Sequence, residues 1–182
     1  MAKVVEGMAR ELARRPDPAL AEKLDAVARR IVSAQRPDGY LNTHFTLVEP
    51  EKRWTNLHDW HELYCAGHLF EAAVAHFEAT GERFFLDAMR RYADLIARPF
   101  GRGRGRKRGY PGHEEIELAL VKAYRTTGQQ KYLDLARTER GAVVRENHAS
   151  LSPNNDVYTP GSTVAFSAIG VDSAGGNALL PE

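Results

Sequence analysis

AVAHFEATGERFFLD (residues 73–87) and LVKAYRTTGQQKYLD (residues 120–134) are two copies of one pattern, and they decide the fold. Each copy has Thr-Gly at its centre, and glycine suits the left-handed position at which a helix ends. The apolar residues on both sides match in order: Ala73, Val74, Phe77, Phe85 and Leu86 align with Leu120, Val121, Tyr124, Tyr132 and Leu133. The pattern predicts helical hairpins that repeat every ~45–50 residues. Because two packed hairpins leave apolar edges, further hairpins are expected on either side.

Helical spacing of apolar residues continues outside the repeat, and no strand-like alternation competes with it in residues 1–140. Asp17 is a suitable cap for a helix that begins at Pro18. Arg36-Pro37-Asp38-Gly39 predicts a turn, and Tyr40–Arg53 an irregular connection after it. The predicted helices cover about residues 4–15, 18–35, 61–80 (from Asp59 or His61), 82–97, 112–126 and 129–140.

The last part of the chain, residues 141–182, changes character. It is rich in Ser, Gly, Asn and Pro, and it contains only a short β-prone run, Ser162–Val171. It neither continues the hairpin period nor offers a convincing helix. We therefore expect two parts: an all-α domain over residues 1–140, and a mostly disordered tail over residues 141–182.

The composition is that of an ordinary globular chain, with 43% apolar and 27% charged residues among 182. The net charge of +1 gives no global field for nucleic-acid or membrane binding. The single cysteine cannot form an internal disulfide. The first residues are amphipathic and contain acids, unlike the apolar core of a signal peptide. The sequence as it stands predicts a cytoplasmic protein.

Two segments place a histidine where a loop becomes a helix. They are Trp54–Glu71 (WTNLHDWHELYCAGHLFE) and Gly109–Leu120 (GYPGHEEIELAL), with His61 and His113 at the junctions. A histidine at the mouth of a helix can exchange hydrogen bonds with a ligand hydroxyl. If the hairpins close into a ring, the same end of each inner helix faces one central cavity. His61 and His113 are therefore candidate binding residues.

For two other residues of the first segment, His68 and Cys65, a structural role is the preferred interpretation. His68 follows His61 by two helical turns, and a histidine of the core is the preferred interpretation. The spacing His-x6-His does not match the zinc pattern His-Glu-x-x-His. Cys65 lies within the helix and is expected to be a small buried apolar residue rather than a reactive thiol.

The remaining charged clusters also allow two interpretations. Glu114, Glu115 and Glu117 could include a catalytic acid of a glycosidase, but acids at a helix start are also favoured by the helix dipole. The dipole interpretation is preferred, with these acids solvated. The loop GRGRGRKRG (residues 101–109) could contact phosphates, although it has no aromatic residue to stack on bases, so a solvated loop is preferred.

Four motifs together resemble glycoside hydrolase family 127, the β-L-arabinofuranosidases. They are PDGYLN (37–42), EKRWTNLHDWHELYCAGHL (51–69), GYPGHEEIELALVK (109–122) and the TG-x3-YL-x-LA pattern (127–136). The resemblance implies an (α/α)6 barrel that hydrolyses terminal, non-reducing β-L-arabinofuranosyl groups with retention. It also implies a zinc ion held by one glutamate and three cysteines, one cysteine being the nucleophile, and a separate glutamate as acid/base.

Only part of that site carries over. The histidines of HELYC and PGHEE, which line the sugar pocket in the family, correspond to His61 and His113. No catalytic residue and no metal ligand carries over, since Cys65 belongs to HELYC and not to the zinc set. The chain is therefore expected to be an inactive fragment of the barrel, an incomplete toroid with an irregular tail. Its expected partner is an L-arabinofuranosyl saccharide, not nucleic acid or membrane.

An alternative from another class is a helical-repeat interaction module without activity. It predicts polar outer hairpins that cap the array, and the sequence shows no obvious capping hairpin.

Overall fold

The computed structural model describes residues 1–100, 104–107 and 111–137, all within one compact unit, Met1–Val143. These residues are mostly helical and include no strand, only an isolated bridge between Phe100 and Lys107. The all-α prediction is confirmed. The helices are α1 (Ala2–Arg14), α2 (Pro18–Ser33), α3 (His44–Leu47), α4 (Leu57–Trp60), α5 (Glu62–Thr80), α6 (Phe84–Ile96) and α7 (Glu115–Thr127). Residues 130–137 are also helical (α8), and Pro50–Lys52 form a 3-10 turn.

The predicted helix boundaries follow local chemistry. The carboxylate of Asp17 accepts hydrogen bonds from the backbone N–H groups of Ala19 (2.9 Å) and Leu20 (3.1 Å), which caps α2. Gly81 and Gly128 end α5 and α7 with φ of 77° and 69°, the left-handed conformation that the two Thr-Gly pairs predict.

The helices form an inner and an outer row of hairpins. Helix α5 lies between α1 and α7 and packs on α6, while α2 packs on α1 and α6. Lys131 of α8 forms an ion pair with Asp94 of α6 at 2.7 Å, so α8 lies beside α6. The inner row is therefore α1, α5, α7, and the outer row α2, α6, α8. Three consecutive hairpins of an (α/α) barrel have this arrangement.

Helices α5 and α7 run in the same direction. The ring of His61, before α5, lies beside that of His113, before α7. Further along, the Oγ1 of Thr126, near the end of α7, donates to the carboxylate of Glu78, near the end of α5, at 3.1 Å. The starts of α5 and α7 therefore lie side by side, and so do their ends. The two loops that precede these helices lie at the same end of the inner row.

The long connection after the turn at Gly39 is more ordered than the sequence predicts. It contains α3 and the 3-10 turn, and two of its aromatic residues are buried on α6. The ring centroids of Tyr40 and Trp54 are 5.2 Å apart, and that of Tyr40 is 5.8 Å from Tyr92 of α6. These contacts fix the connection to the outer row and so fix the loop that leads to α5.

The sequence allows the third helix to begin at Asp59 or at His61, and the structure interrupts the helix at this point. Helix α4 ends at Trp60, His61 adopts a left-handed conformation, and α5 begins at Glu62. No helix in the described part of the chain is both long and apolar enough to cross a membrane. The predicted disordered tail, residues 141–182, lies outside the described residues.

Candidate functional site

His61 occupies a strained position at the start of α5. Its φ of 58° and ψ of 26° lie in the left-handed region, which is unfavourable for a residue with a Cβ. Its half-buried ring is held by a hydrogen bond from Nδ1 to the carbonyl oxygen of Asp59 at 2.6 Å. Strained non-glycine residues often occur at functional sites, where the surrounding structure holds them in place. The conformation therefore supports His61 as a binding residue.

His113 lies in the loop that precedes α7, and the structure brings it to His61. The two ring centroids are 5.0 Å apart, with 52° between the ring planes. The approach depends on Gly112, because a Cβ there would lie 2.5 Å from the carbonyl oxygen of His58. His113 is exposed and His61 half-buried, so this pair of rings is accessible to solvent.

Tyr64 is a third member of this surface that the sequence analysis did not single out. Its ring centroid lies 5.6 Å from that of His61, 5.0 Å from that of His113 and 4.5 Å from that of His68. Its hydroxyl accepts a hydrogen bond from Nζ of Lys3 at 2.9 Å, which joins α1 to the surface. The sequence did contain a signal for Tyr64, its i, i+3 spacing from His61, because residues three apart lie on one face of a helix.

Glu62 has a structural role at the start of α5. It is fully buried, and its carboxylate accepts hydrogen bonds from the hydroxyl of Tyr40 and from the backbone N–H of Trp54, the latter at 2.7 Å. Burial raises the pKa of this carboxyl above its usual value, partly offset by these two bonds. Glu62 thus ties the loop before His61 to the start of α5.

Below the histidine pair, α5 and α7 share a cluster of charged side chains. Nδ1 of His68 lies 2.9 Å from Glu115 and 3.6 Å from Glu71, whose carboxylate is also paired with Lys122. Burial and the neighbouring Glu71 raise the pKa of Glu115 to about 8, so one proton serves the two carboxyl groups. His68 is therefore a mostly buried histidine that takes part in a polar contact between the inner helices.

The same three side chains are the group that could hold a metal ion among the described residues. The potential ligand atoms of His68, Glu71 and Glu115 lie within 4.8 Å of one another. Lys122 already neutralises Glu71, so the cluster balances its charges without an ion. Glu115 and Glu117 are also less solvated than the sequence suggests, with Glu117 buried in α7.

The prediction that Cys65 is buried is wrong. The residue is exposed, because it lies one helical turn after His61 on the side of α5 that opens to solvent. Partial burial of the thiol, with the charge of Glu62, raises its pKa, which disfavours a reactive thiolate.

The zinc site implied by the resemblance does not fit the residues present. That site takes three cysteine ligands and one glutamate, whereas the chain has one cysteine, Cys65. The cluster of His68, Glu71 and Glu115 supplies no thiolate and includes no cysteine. No step of zinc chemistry is therefore assigned to these 182 residues.

Two cations of the basic loop stabilise the loop itself. The guanidinium of Arg106 donates to the backbone carbonyls of Ala97, at 2.5 Å, and Arg98 at the end of α6. Nζ of Lys107 donates to the carbonyl oxygen of Trp54 at 3.1 Å. These contacts support a structural role for Arg106 and Lys107 over phosphate binding.

Comparisons with known proteins agree with this architecture. The sequence profile described as "Beta-L-arabinofuranosidase, GH127 catalytic domain" matches residues 1–158. A non-reducing end β-L-arabinofuranosidase from Bifidobacterium longum subsp. longum is 38% identical over 139 residues, which are 74% of this chain and 21% of that protein.

Two solved structures are also similar. A GH127 β-L-arabinofuranosidase from Geobacillus stearothermophilus T6 has a TM-score of 0.72 and 48% identity over 85% of this chain. A second GH127 β-arabinofuranosidase has a TM-score of 0.70 and 41% identity over 76% of this chain. The matches cover 26% and 23% of those two proteins, so this chain spans about a quarter of their length. With its helical hairpins and the profile match over most of its length, the chain belongs to glycoside hydrolase family 127.

Proposed function

We propose that this chain forms one wall of the sugar pocket of a glycoside hydrolase that acts on terminal, non-reducing β-L-arabinofuranosides. His61 and His113 are the residues that bind the sugar. The observation that carries the proposal is the contact of their rings, 5.0 Å apart, at the shared end of two parallel inner helices. Sugars are recognised by hydrogen bonds to their hydroxyl groups, and imidazole nitrogens supply both donors and acceptors.

The remainder of the site fits this role. Tyr64 adds an aromatic ring beside the two histidines, and Lys3 donates a hydrogen bond to its hydroxyl. An apolar ring with a few convergent polar groups is the usual composition of a small-molecule pocket. The relatives from Bifidobacterium longum and Geobacillus stearothermophilus are β-L-arabinofuranosidases, which supports an L-arabinofuranosyl group as the ligand.

The chain by itself is proposed to bind the sugar without hydrolysing it. Hydrolysis in this family needs the zinc-bound thiolate that the resemblance implies, and a single cysteine cannot supply three thiolate ligands. What these residues contribute is the position of the sugar, which His61 and His113 fix through hydrogen bonds. Correct positioning is itself a large part of enzymatic rate enhancement.

Two measurements on the 182-residue chain test the proposal. Binding of methyl β-L-arabinofuranoside, followed by NMR, is expected for the unchanged chain and for Glu22→Ala, a control on the exposed side of α2. His61→Ala and His113→Ala should each weaken binding about fivefold or more, because each removes a hydrogen bond. No release of aryl alcohol from an aryl β-L-arabinofuranoside is expected, even with zinc added.

Zinc-dependent turnover by the chain would overturn the inactive assignment. Equal affinity in the two histidine variants would overturn the binding site. A chain that unfolds cooperatively but binds no sugar would instead favour the helical-repeat interaction module.

A further inference from the structure

The hydrogen bond between His61 and Asp59 defines which nitrogen of His61 is free. Nδ1 lies 2.6 Å from the carbonyl oxygen of Asp59, and a carbonyl oxygen can only accept. Nδ1 must therefore carry a proton. In the neutral ring the other nitrogen, Nε2, then has no proton and is an acceptor. Nε2 forms no hydrogen bond to any residue that the structure describes, and the ring is half-buried beside the exposed His113.

The carbonyl of Asp59 is itself held by a compact turn that begins at Asn56. The side chain of Asn56 caps α4 by accepting from the backbone N–H of Asp59 at 3.1 Å, and it donates to the carboxylate of Asp59 at 3.0 Å. The carboxylate of Asp59 also lies 2.7 Å from Nδ1 of His58. Hydrogen bonds therefore hold Asp59 at both its carboxylate and its backbone N–H.

The left-handed conformation of His61 is what turns its ring back onto this turn. At a φ of 58°, the side chain of His61 reaches a carbonyl only two residues earlier. Buried Glu62 holds the following residue in place through Tyr40 and Trp54. The local backbone strain and the hydrogen bond therefore belong to one arrangement, which fixes both the direction and the tautomer of the ring.

We propose that Asn56 is a positioning residue which, through Asp59, holds His61 as the Nδ1–H tautomer, so that Nε2 accepts a hydrogen bond from a hydroxyl group of the bound sugar. This inference rests on the proposed sugar-binding function and refines it. It requires the sugar to be the donor at this contact. A substituent that only accepts, such as fluorine, in place of that hydroxyl removes the contact, because two acceptors face each other.

The tautomer is measured directly by the ring nitrogen resonances of 15N-histidine-labelled chain, in mildly alkaline buffer where imidazole rings are generally neutral. In the unchanged chain, Nδ1 of His61 should resonate as a protonated nitrogen and Nε2 as an unprotonated one. Asn56→Ala should draw the two resonances together, as in a ring that exchanges between tautomers. Asn56→Ser keeps a capping oxygen and should restore the original pattern. Circular dichroism establishes that each variant is folded.

A titration with excess methyl β-L-arabinofuranoside provides the second readout. Nε2 of His61 should shift to lower frequency as it accepts a hydrogen bond, while Nδ1 keeps its position. Asn56→Ala should weaken binding about fivefold, and Asn56→Ser should recover most of that loss.

The outcomes separate this inference from the function on which it rests. An Nε2–H tautomer in the unchanged chain would overturn the inference whether or not sugar binds. Sugar binding that shifts His113 or Tyr64 but leaves Nε2 of His61 unchanged would overturn the acceptor role and keep the proposed function. An Nδ1–H tautomer with no sugar binding at all would overturn both the acceptor role and the proposed function.

Discussion

The carboxylate of Glu62 accepts a hydrogen bond from the backbone N–H of Trp54 at 2.7 Å, in a position where Glu62 has no exposed surface. Trp54 has a φ of 61°, an unfavourable conformation for a residue with a large side chain. The bond therefore does more than satisfy one donor. It stabilises the strained loop that leads from Trp54 to His61, and the other carboxylate oxygen accepts from the hydroxyl of Tyr40.

Replacing Glu62 should destabilise the whole loop. Glu62→Ala leaves the N–H of Trp54 and the hydroxyl of Tyr40 without their acceptor in a buried site, so the free energy of unfolding should fall by about 3 kcal/mol. Glu62→Gln keeps one acceptor and the side-chain volume, and about half of that loss is expected. Denaturation by urea, followed by circular dichroism, measures both changes. Glu51→Ala, an exposed glutamate in the same connection, is the control and should change stability by less than ~0.5 kcal/mol. A similar loss in the control would contradict the special role of Glu62.

The boundaries of the fold were predictable because they depend on local chemistry. Asp17 caps α2, and Gly81 and Gly128 end α5 and α7, through interactions within a few residues along the chain. The proximity of His61 and His113 was also predictable, because equivalent positions on consecutive hairpins come together in a ring.

What the sequence did not reveal depends on contacts between distant residues. Glu62 meets Tyr40 across 22 positions of the chain, and no periodicity in the sequence encodes that pair. The exposure of Cys65 depends on which side of α5 remains uncovered, and helical spacing alone does not distinguish an open face from a packed one. The pair Glu71 and Glu115 likewise required the packing of α5 on α7.

The shared proton of Glu71 and Glu115 predicts a pH dependence of stability. The pKa of Glu115 is raised to about 8 in the folded chain, by burial and by Glu71, from an unfolded value of 4.5. The folded state therefore binds more protons than the unfolded state between these values, so stability falls as the pH rises toward about 8 and levels off above it. Burial lowers the pKa values of His68 and His76, so their effect on stability lies at acidic pH. The pKa of the Cys65 thiol is raised, so its effect lies at more alkaline pH. Glu115 therefore dominates the window from about pH 7 to 8.5.

Glu115→Gln should remove that dependence, because the amide stays neutral at every pH. The melting temperature of the unchanged chain should fall between pH 7 and about 8.5, and that of the variant should stay nearly constant. Glu114→Gln, at the exposed preceding position, is the matched control and should retain the fall. Parallel curves for the unchanged chain and Glu115→Gln would show that another group carries the titration.

The close approach of α5 and α7 depends on the absence of a side chain at Gly67. A Cβ there would lie 2.7 Å from Cγ of Glu115 and 2.8 Å from its backbone carbon. Gly67→Ala should therefore push the start of α7 away and lower the free energy of unfolding by about 1–3 kcal/mol. The contact of His61 with His113 should loosen, which NMR detects as altered ring resonances of both histidines.

Gly7→Ala is the control for that substitution. A Cβ at Gly7, within α1, meets nothing within 4 Å, so the better helix propensity of alanine should raise stability by up to ~1 kcal/mol. We therefore expect Gly67→Ala to lower the free energy of unfolding and Gly7→Ala to raise it. Stabilisation by Gly67→Ala would contradict the packing of α7 on α5.

The strained conformation of His61 predicts that two substitutions at this position will affect sugar binding alike but stability differently. His61→Ala and His61→Gly both remove the ring and its hydrogen bond to Asp59, so both should lose the sugar contact. At this position they differ mainly in backbone strain, because glycine adopts a φ of 58° without the Cβ clash that alanine retains. His61→Gly should therefore be more stable than His61→Ala by about 1 kcal/mol, whereas the same comparison within an ordinary helix favours alanine by a similar amount. Urea denaturation of the two variants measures this difference. Ala79→Gly, inside α5, is the reference and should show the usual loss of stability when glycine replaces alanine in a helix. Equal stabilities at position 61 would show that the backbone there relaxes without strain, and that the ring is held by its hydrogen bond alone.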